Sequence, residues 1–408
     1  MLHWRTRTEL IAGPGTALDW VRRIPGADRP ALAVVFDEAA APLPPIARVL
    51  DAVGPGLAVG VGPGADDWPE LLALGDRLRR AGTERVVTVG GGTTTDVARL
   101  ASLIAANERR RLRTLERTGG TGFRPLPDRH LRRYPLVAIT TTLGTGVEVS
   151  PVACMVSGGT KRIVLGERLI PDTAILDPDL TGTLPAGLVE DGIVEIMLRY
   201  LGPLLAGDPG VAMTDEVVLD ELGHLDRLLR TGRRRPLTAD ERLAVSLRSA
   251  ATRLGFGLAG RNPYSSKLWY LATALTDCVP VSKLEANLML FPAVLAAIDA
   301  GDHRFGQRPI LARVNRRLGL PAAEPLALAD HLRSRRRPRG APTVDPAVVA
   351  AHAHRTWGNG RPMLGDLGHD ELVDIYRSAG DDADAPAAGP ASRVLSSTAQ
   401  SPNERTYS

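Results

Sequence analysis

Lysine is almost missing from this sequence. Of its 50 Lys+Arg residues only Lys161, Lys267 and Lys283 are lysine, and the other 47 are arginine. A GC-rich genome, which favours Arg, Ala, Gly and Pro codons, accounts for the bias. On that background a surface lysine drifts readily to arginine. A position that stays lysine is a candidate for a job that needs a compact ammonium able to give up its proton.

Other scarcities exclude whole classes. Aromatic residues make up 4% of the 408 positions, so a core must be built mainly of Leu, Val and Ala. Two cysteines, Cys154 and Cys278, cannot make a disulfide framework. No apolar run reaches membrane-spanning length, and Met1 to Arg5 lack the apolar stretch of a signal peptide. A formal net charge of +4 makes no case for a nucleic-acid partner. What remains, 44% hydrophobic and 24% charged, suits a soluble cytoplasmic protein of two domains with ample core.

The first half reads as strands alternating with helices. Ala31 to Phe36 is a continuous apolar run, as a buried parallel strand requires, and it ends in Asp37. An acid at such a strand end can accept hydrogen bonds from an adenosine ribose and repel a 2′-phosphate. It can equally cap the next helix. Leu57 to Val61 is a further strand, and Asp67 to Arg80 a helix with Leu71, Leu72, Leu74 and Leu78 forming much of one apolar face.

The strand Arg85 to Val89 runs straight into Gly90-Gly91-Gly92-Thr93-Thr94-Thr95-Asp96, and a helix follows through Ser102. Glycines there let the backbone approach a diphosphate, and the helix amides and dipole favour its charge. The arginines between residues 108 and 133 read as a solvated helix end and loop.

A third landmark is the apolar run Tyr134 to Ile139, followed by Thr140-Thr141-Thr142-Leu143-Gly144-Thr145-Gly146-Val147-Glu148. Lys161 comes next, then the strand Ala174 to Leu176 ending in Asp177-Pro178, and the helix-like Gly192 to Arg199. After Pro178 the strand pattern stops, and residues 185–378 read as helices joined by short loops. The expected architecture is an α/β Rossmann-like dinucleotide-binding domain over 1–178 and an all-α domain over 179–379. From 380 to 408 a tail rich in Ala, Pro, Ser and Asp is expected to be disordered.

This order of motifs resembles the iron-containing alcohol dehydrogenase and dehydroquinate synthase superfamily. There a Gly-Gly-Gly-Ser-x-x-Asp turn, a Thr-Thr-x-Gly-Thr-Gly-x-Glu turn, a lysine, an Asp-Pro and a metal-binding helix follow one another. In this chain Thr93 replaces the serine, and Arg99 stands where the family has a lysine. The resemblance implies NAD or NADP on Gly90, Gly91, Gly92, Thr93 and Asp96, with Thr141, Thr142 and Thr145 helping to place it. Asp37 favours NAD.

The resemblance also implies a divalent metal on the helical domain, and here the sequence departs from it. The ligand positions fall on Glu195 or Val194, on Lys267 or Trp269 depending on register, and on Lys283. None of the eight histidines lies where the family needs one. His352-x-His354 would pair only on a strand, and its surroundings look helical or loop-like. A bound metal is therefore not expected. Lys283, with Lys267, is expected to supply positive charge in its place, with Glu195 holding the ammonium charged and Lys161 binding a substrate carboxylate or relaying a proton. The plain alternative is a decayed site with lysines snorkelling from ordinary helix faces.

These readings imply an NAD(P)-dependent dehydrogenase oxidising a hydroxyl to a carbonyl. A β-hydroxy acid substrate would give a product able to lose CO₂. Gly192-x-x-Glu195-x-x-x-Arg199-x-x-Gly202-Pro203 also resembles dehydrogenases of daptide-type ribosomal-peptide clusters, which implies a peptide hydroxyl as substrate. The alternatives are a sugar-phosphate cyclase or lyase of dehydroquinate synthase type and a non-catalytic nucleotide-binding scaffold. The expected partner is a small-molecule or peptide alcohol, with no nucleic acid and no membrane; a homodimer is allowed.

Overall fold

The apolar runs of the first half become the centre of a parallel sheet. The computed structural model describes residues 7–381 apart from 55, 117–119, 127–130, 132, 207–211, 255 and 334–343. Its strands are β1 (Glu9–Ala12), β2 (Leu32–Asp37), β3 (Leu57–Val61), β4 (Arg85–Gly90), β5 (Phe123–Pro125), β6 (Leu136–Thr140), β7 (Val152–Ser157), β8 (Thr160–Leu165) and β9 (Thr173–Leu176). One sheet has the order β1-β9-β6-β4-β2-β3, with every adjacent pair parallel.

Such strands are covered on both faces, which is what an all-apolar segment needs. The helices α1 (Thr16–Arg22) and α2 (Pro44–Val53) cover one side around Val34, Val87 and Ile139. On the other side α3 (Trp68–Arg80) and α4 (Gly92–Ala105) bury Leu71, Leu78, Leu100 and Leu103. From Thr94 to Ala105 every residue of α4 is buried. A short α5 (Arg113–Glu116) follows.

The second sheet, β5-β8-β7, has no counterpart in the pattern reading. Strands β7 and β8 form an antiparallel hairpin. Side chains alternate between buried and half-buried along β7, but its residues are almost all apolar, so no polarity alternation marks it. The solvated reading of the arginine-rich stretch needs correction too. Arg109 to Arg111 are exposed, but Arg124 is buried, and Arg133 grips Asp172 with two nitrogens.

The second half is helical: α6 (Ala186–Ala206), α7 (Ala212–Gly232), α8 (Ala239–Leu254), α9 (Lys267–Cys278), α10 (Lys283–Asp299), α11 (Arg308–Arg317), α12 (Ala327–Leu332), α13 (Pro346–Trp357) and α14 (His369–Asp381). Helix α6 is apolar around most of its circumference, so it runs through the middle, with Ile193, Met197 and Leu201 fully buried. Leu222, Leu271, Leu290 and Trp357 complete that core. Each such leucine contributes about 1.5–3 kcal/mol by leaving water. The expected tail beyond Asp381, and the arginine run after Arg333, lie outside the described residues. No helix among the described residues is long and apolar enough to cross a membrane.

The two domains meet backbone to backbone. Gly144, in the turn after β6, has φ +90, and a Cβ there would collide with the backbone of Gly192 on α6. A Cβ on Gly192 would lie 2.7 Å from the Leu143 carbonyl oxygen. The turn therefore sits directly on the helix, with no side chain between them.

Candidate active site between the two domains

The dinucleotide-type wall is built from backbone and hydroxyls. Strand β4 ends at Gly90 and α4 starts at Gly92. A Cβ on Gly90 would approach the Thr94 side chain to 2.7 Å, and one on Gly91 would come within 2.9 Å of Thr142. The chain thus turns through a space that only glycine fits. The Thr141 amide donates to the Gly90 carbonyl at 3.1 Å, which ties the second turn to the first. Gly92, Thr93 and Thr145 face an interdomain cavity of about 350 Å³. The Thr142 hydroxyl is buried with no hydrogen-bond partner. An open helix start beside an unpaired hydroxyl fits the diphosphate of a dinucleotide.

Asp96 and Arg99 do different work. The Asp96 carboxylate pairs with Arg99 and accepts the Cys154 amide at 2.8 Å. Burial pushes its pKa up, and the Arg99 charge pulls the other way. Arg99 is 1% exposed and also donates to the carbonyls of Ser150 (2.8 Å) and Val152. Arg99 is thus a clamp that holds β7 and the turn before it against α4. Asp37 ends β2 half-buried, and its carboxylate accepts the Ala39 amide at 3.0 Å, as a turn cap does.

The opposite wall comes from four helices. Helix α6 presents Glu195 and Arg199 one turn apart, α8 Thr252 and Arg253, α9 Trp269 and Tyr270, and α10 Lys283. Ser282 caps α10 in a reciprocal box with Glu285, which fixes Lys283 at the first helical position. Its ammonium lies 5.6 Å from the Trp269 ring centroid. Burial drives the Glu195 carboxyl above the usual carboxylate range, opposed by Arg199 and then Lys283. Burial likewise pulls the buried Arg199 guanidinium down to about 10. Arg199 donates to the Thr252 hydroxyl at 3.2 Å.

The structure corrects the expectation that Lys267 joins Lys283. The Lys267 ammonium turns away from the cavity to Asp366, at 2.6 and 2.8 Å, and to the Met363 carbonyl. Lys161 lies on β8 outside the cavity wall, and its amide donates to Asp277 at 3.0 Å. On α9 it is Trp269, not Lys267, that stands in the wall. On α6 Glu195 lines the cavity, while Val194 is fully buried in the core.

These side chains do not suit a divalent metal. Among the described residues no group of three His, Cys, Asp or Glu could hold one. The acids and thiol of the cavity are Asp96, Glu195 and Cys154. The first is spent on Arg99, burial raises the pKa of all three, and three further cations share the space. His352, on α13, bonds Asp277 at 2.8 Å. Arg253, Tyr264, Phe123 and Cys154 line the cavity and carried no motif that sequence reasoning could use.

The fold and this cavity define a two-domain dinucleotide-binding protein. Residues 8–178 match the model of the family described as iron-containing alcohol dehydrogenase. It is 31% identical over 271 residues to a 4-hydroxybutyrate dehydrogenase of Cupriavidus necator, covering 62% of this chain and 65% of that relative's length. The NADH-dependent butanol dehydrogenase A of Thermotoga maritima superposes with a TM-score of 0.79 at 15% identity, covering 93% of this chain and 98% of that one. A sulfoacetaldehyde reductase of Bifidobacterium kashiwanohense, solved with NAD+, gives 0.70 at 17% identity, covering 93% and 99%. At these identities the two structures establish the shared fold.

Proposed function

We propose that the protein is an NAD(P)-dependent oxidoreductase that interconverts a CH–OH group and a carbonyl, with Lys283 standing where relatives use a metal. One observation carries this reading: the open start of α4 and the Lys283 ammonium face the same 350 Å³ space. Gly91, Gly92, Thr93, Thr142 and Thr145 would hold the dinucleotide. When bound, its nicotinamide supplies the hydride acceptor or donor. Lys283 donates a hydrogen bond to the reacting oxygen and stabilises the charge that develops there. Glu195, in the same space, exchanges the proton that leaves or joins that oxygen. Asp37 favours NAD, because an aspartate at the end of β2 repels a 2′-phosphate.

Within this reading the alcohol is a small molecule or a peptide hydroxyl. The peptide form rests on the resemblance of the short Gly192 to Pro203 motif, whose Glu195 and Arg199 are wall residues. The position of Glu195 also favours a second reading, a cyclase that uses the dinucleotide transiently. Absorbance at 340 nm separates the two: net nicotinamide turnover marks a dehydrogenase, and product without it a cyclase. Turnover is expected to survive exhaustive chelation and to fall roughly 10²- to 10³-fold in Lys283→Met. Stoichiometric metal, with activity that returns only on adding it back, would overturn the role given to Lys283.

A further inference from the structure

The cavity holds more positive charge than its own acids answer. Arg99 is neutralised by Asp96, but Arg199, Arg253 and Lys283 have no carboxylate within ion-pair distance among the described residues. Arg199 has hydroxyl partners, Thr252 at 3.2 Å and Ser249 at 3.5 Å, and feels Glu195, one turn away on α6, and then the buried Glu148. Lys283 rests over Trp269. Arg253 hydrogen-bonds the Tyr264 side chain and feels Glu195, but has no ion pair among the described residues. It is half-buried, its guanidinium carbon lies 5.7 Å from the Tyr264 ring centroid, and its Nε is buried with no partner. A desolvated guanidinium is costly unless something anionic meets it, and its fork matches a carboxylate.

The geometry points to a carboxylate seat: Arg253, backed by Tyr264, binds the carboxylate of a hydroxy-acid or oxo-acid substrate while Lys283 faces its reacting oxygen. This rests on the dehydrogenase reading above and adds the substrate class to it. Arg253 stands on α8, whereas a dinucleotide's own phosphates have the start of α4, so the two anionic sites come from different domains. Phe123, Leu258 and Pro263 line the rest of the cavity with apolar surface, which suits a short carbon chain between the two polar ends.

The test compares four-carbon hydroxy acids with the corresponding neutral hydroxy amides at saturating cofactor, using the full-length protein, Arg253→Met and Arg253→Lys. The acid is expected to be preferred by roughly 10- to 100-fold in kcat/KM. Arg253→Met should lose most of that preference, mainly through KM. The amide should change less than about threefold, and Arg253→Lys should recover part of the loss.

Equal use of acid and amide by the unaltered protein, or an equal loss on both in Arg253→Met, would overturn the assignment. So would a weakening of cofactor binding in Arg253→Met as large as that of the acid, which would make the seat a phosphate site. A binding arm separates this from failure of the dehydrogenase reading. Calorimetric titration with sodium butyrate against butyramide needs no turnover, and binding of butyrate alone, abolished in Arg253→Met, supports the seat even if no alcohol is oxidised.

Discussion

The two walls of the cavity are made of different material. The α/β wall is backbone, glycine and hydroxyl, held by hydrogen bonds such as Thr141 to Gly90. The helical wall is a set of mostly charged and aromatic side chains drawn from four helices, α6, α8, α9 and α10. The backbone wall has little room: a Cβ on Gly90 or Gly91 would press on a threonine side chain, and one on Gly144 would meet the main chain of Gly192. A wall of side chains can be rewritten one residue at a time without disturbing the fold. That difference allows the side-chain wall to vary while the glycine turns opposite it stay fixed.

The largest expected effect tests the backbone side. Gly144→Ala combines a positive φ with a main-chain collision, and should cost about 3 kcal/mol or more. The measurable sign is a melting temperature lowered by roughly 10 °C or loss of soluble protein. A substitution that left melting unchanged would show that the seam has slack, and the contrast between the walls would weaken.

Next is Glu195→Gln on the side-chain wall. Turnover should fall about 10²-fold through loss of proton exchange. Stability should move the other way. The folded carboxyl is raised above its unfolded value, so Glu195 costs nothing below the ordinary carboxylate pKa. Its penalty grows as pH rises from there through the raised value. The glutamine variant should therefore melt higher than the unaltered protein at pH 7, and the gain should vanish near pH 4. A gain that persisted at low pH would mean that packing, not charge, was the cause.

A smaller effect is expected at Asp37. Replacement by Ser should relax discrimination against NADP roughly tenfold, measured as the ratio of kcat/KM for the two cofactors. No change would leave Asp37 only its cap on Ala39. The smallest effect is Lys267→Met. Because that ammonium is bound to Asp366, turnover should stay within about twofold while stability drops by about 1 kcal/mol. Collapse of turnover at unchanged stability would put Lys267 back in the site.

The legibility of the sequence follows the same division. Strands β2, β3, β4, β6 and β9 were visible as apolar runs, and the glycine turns by composition, because both are local properties of the chain. The hairpin β7–β8 was hidden, since burial alternates there without polarity alternating. On the helical side Glu195 and Lys283 could be found by register, but Lys267 could not be placed. A shift of two positions on a helix turns a side chain through more than half a circle, so the choice between Lys267 and Trp269 waited on the three-dimensional packing. A signal that could have helped was the Ser282-x-x-Glu285 box, which marks where α10 begins. Arg253 gave none, as one arginine among 47.

The contact of Gly144 with Gly192 has a consequence for swapping parts between relatives. Each glycine is needed because of the other, yet they lie on opposite sides of the point where an engineer would cut. A chimera that grafts a foreign helical half onto this α/β half must bring a glycine to the position of Gly192. A bulkier residue there would meet the Leu143 carbonyl, push the turn off the helix and distort the cavity between them.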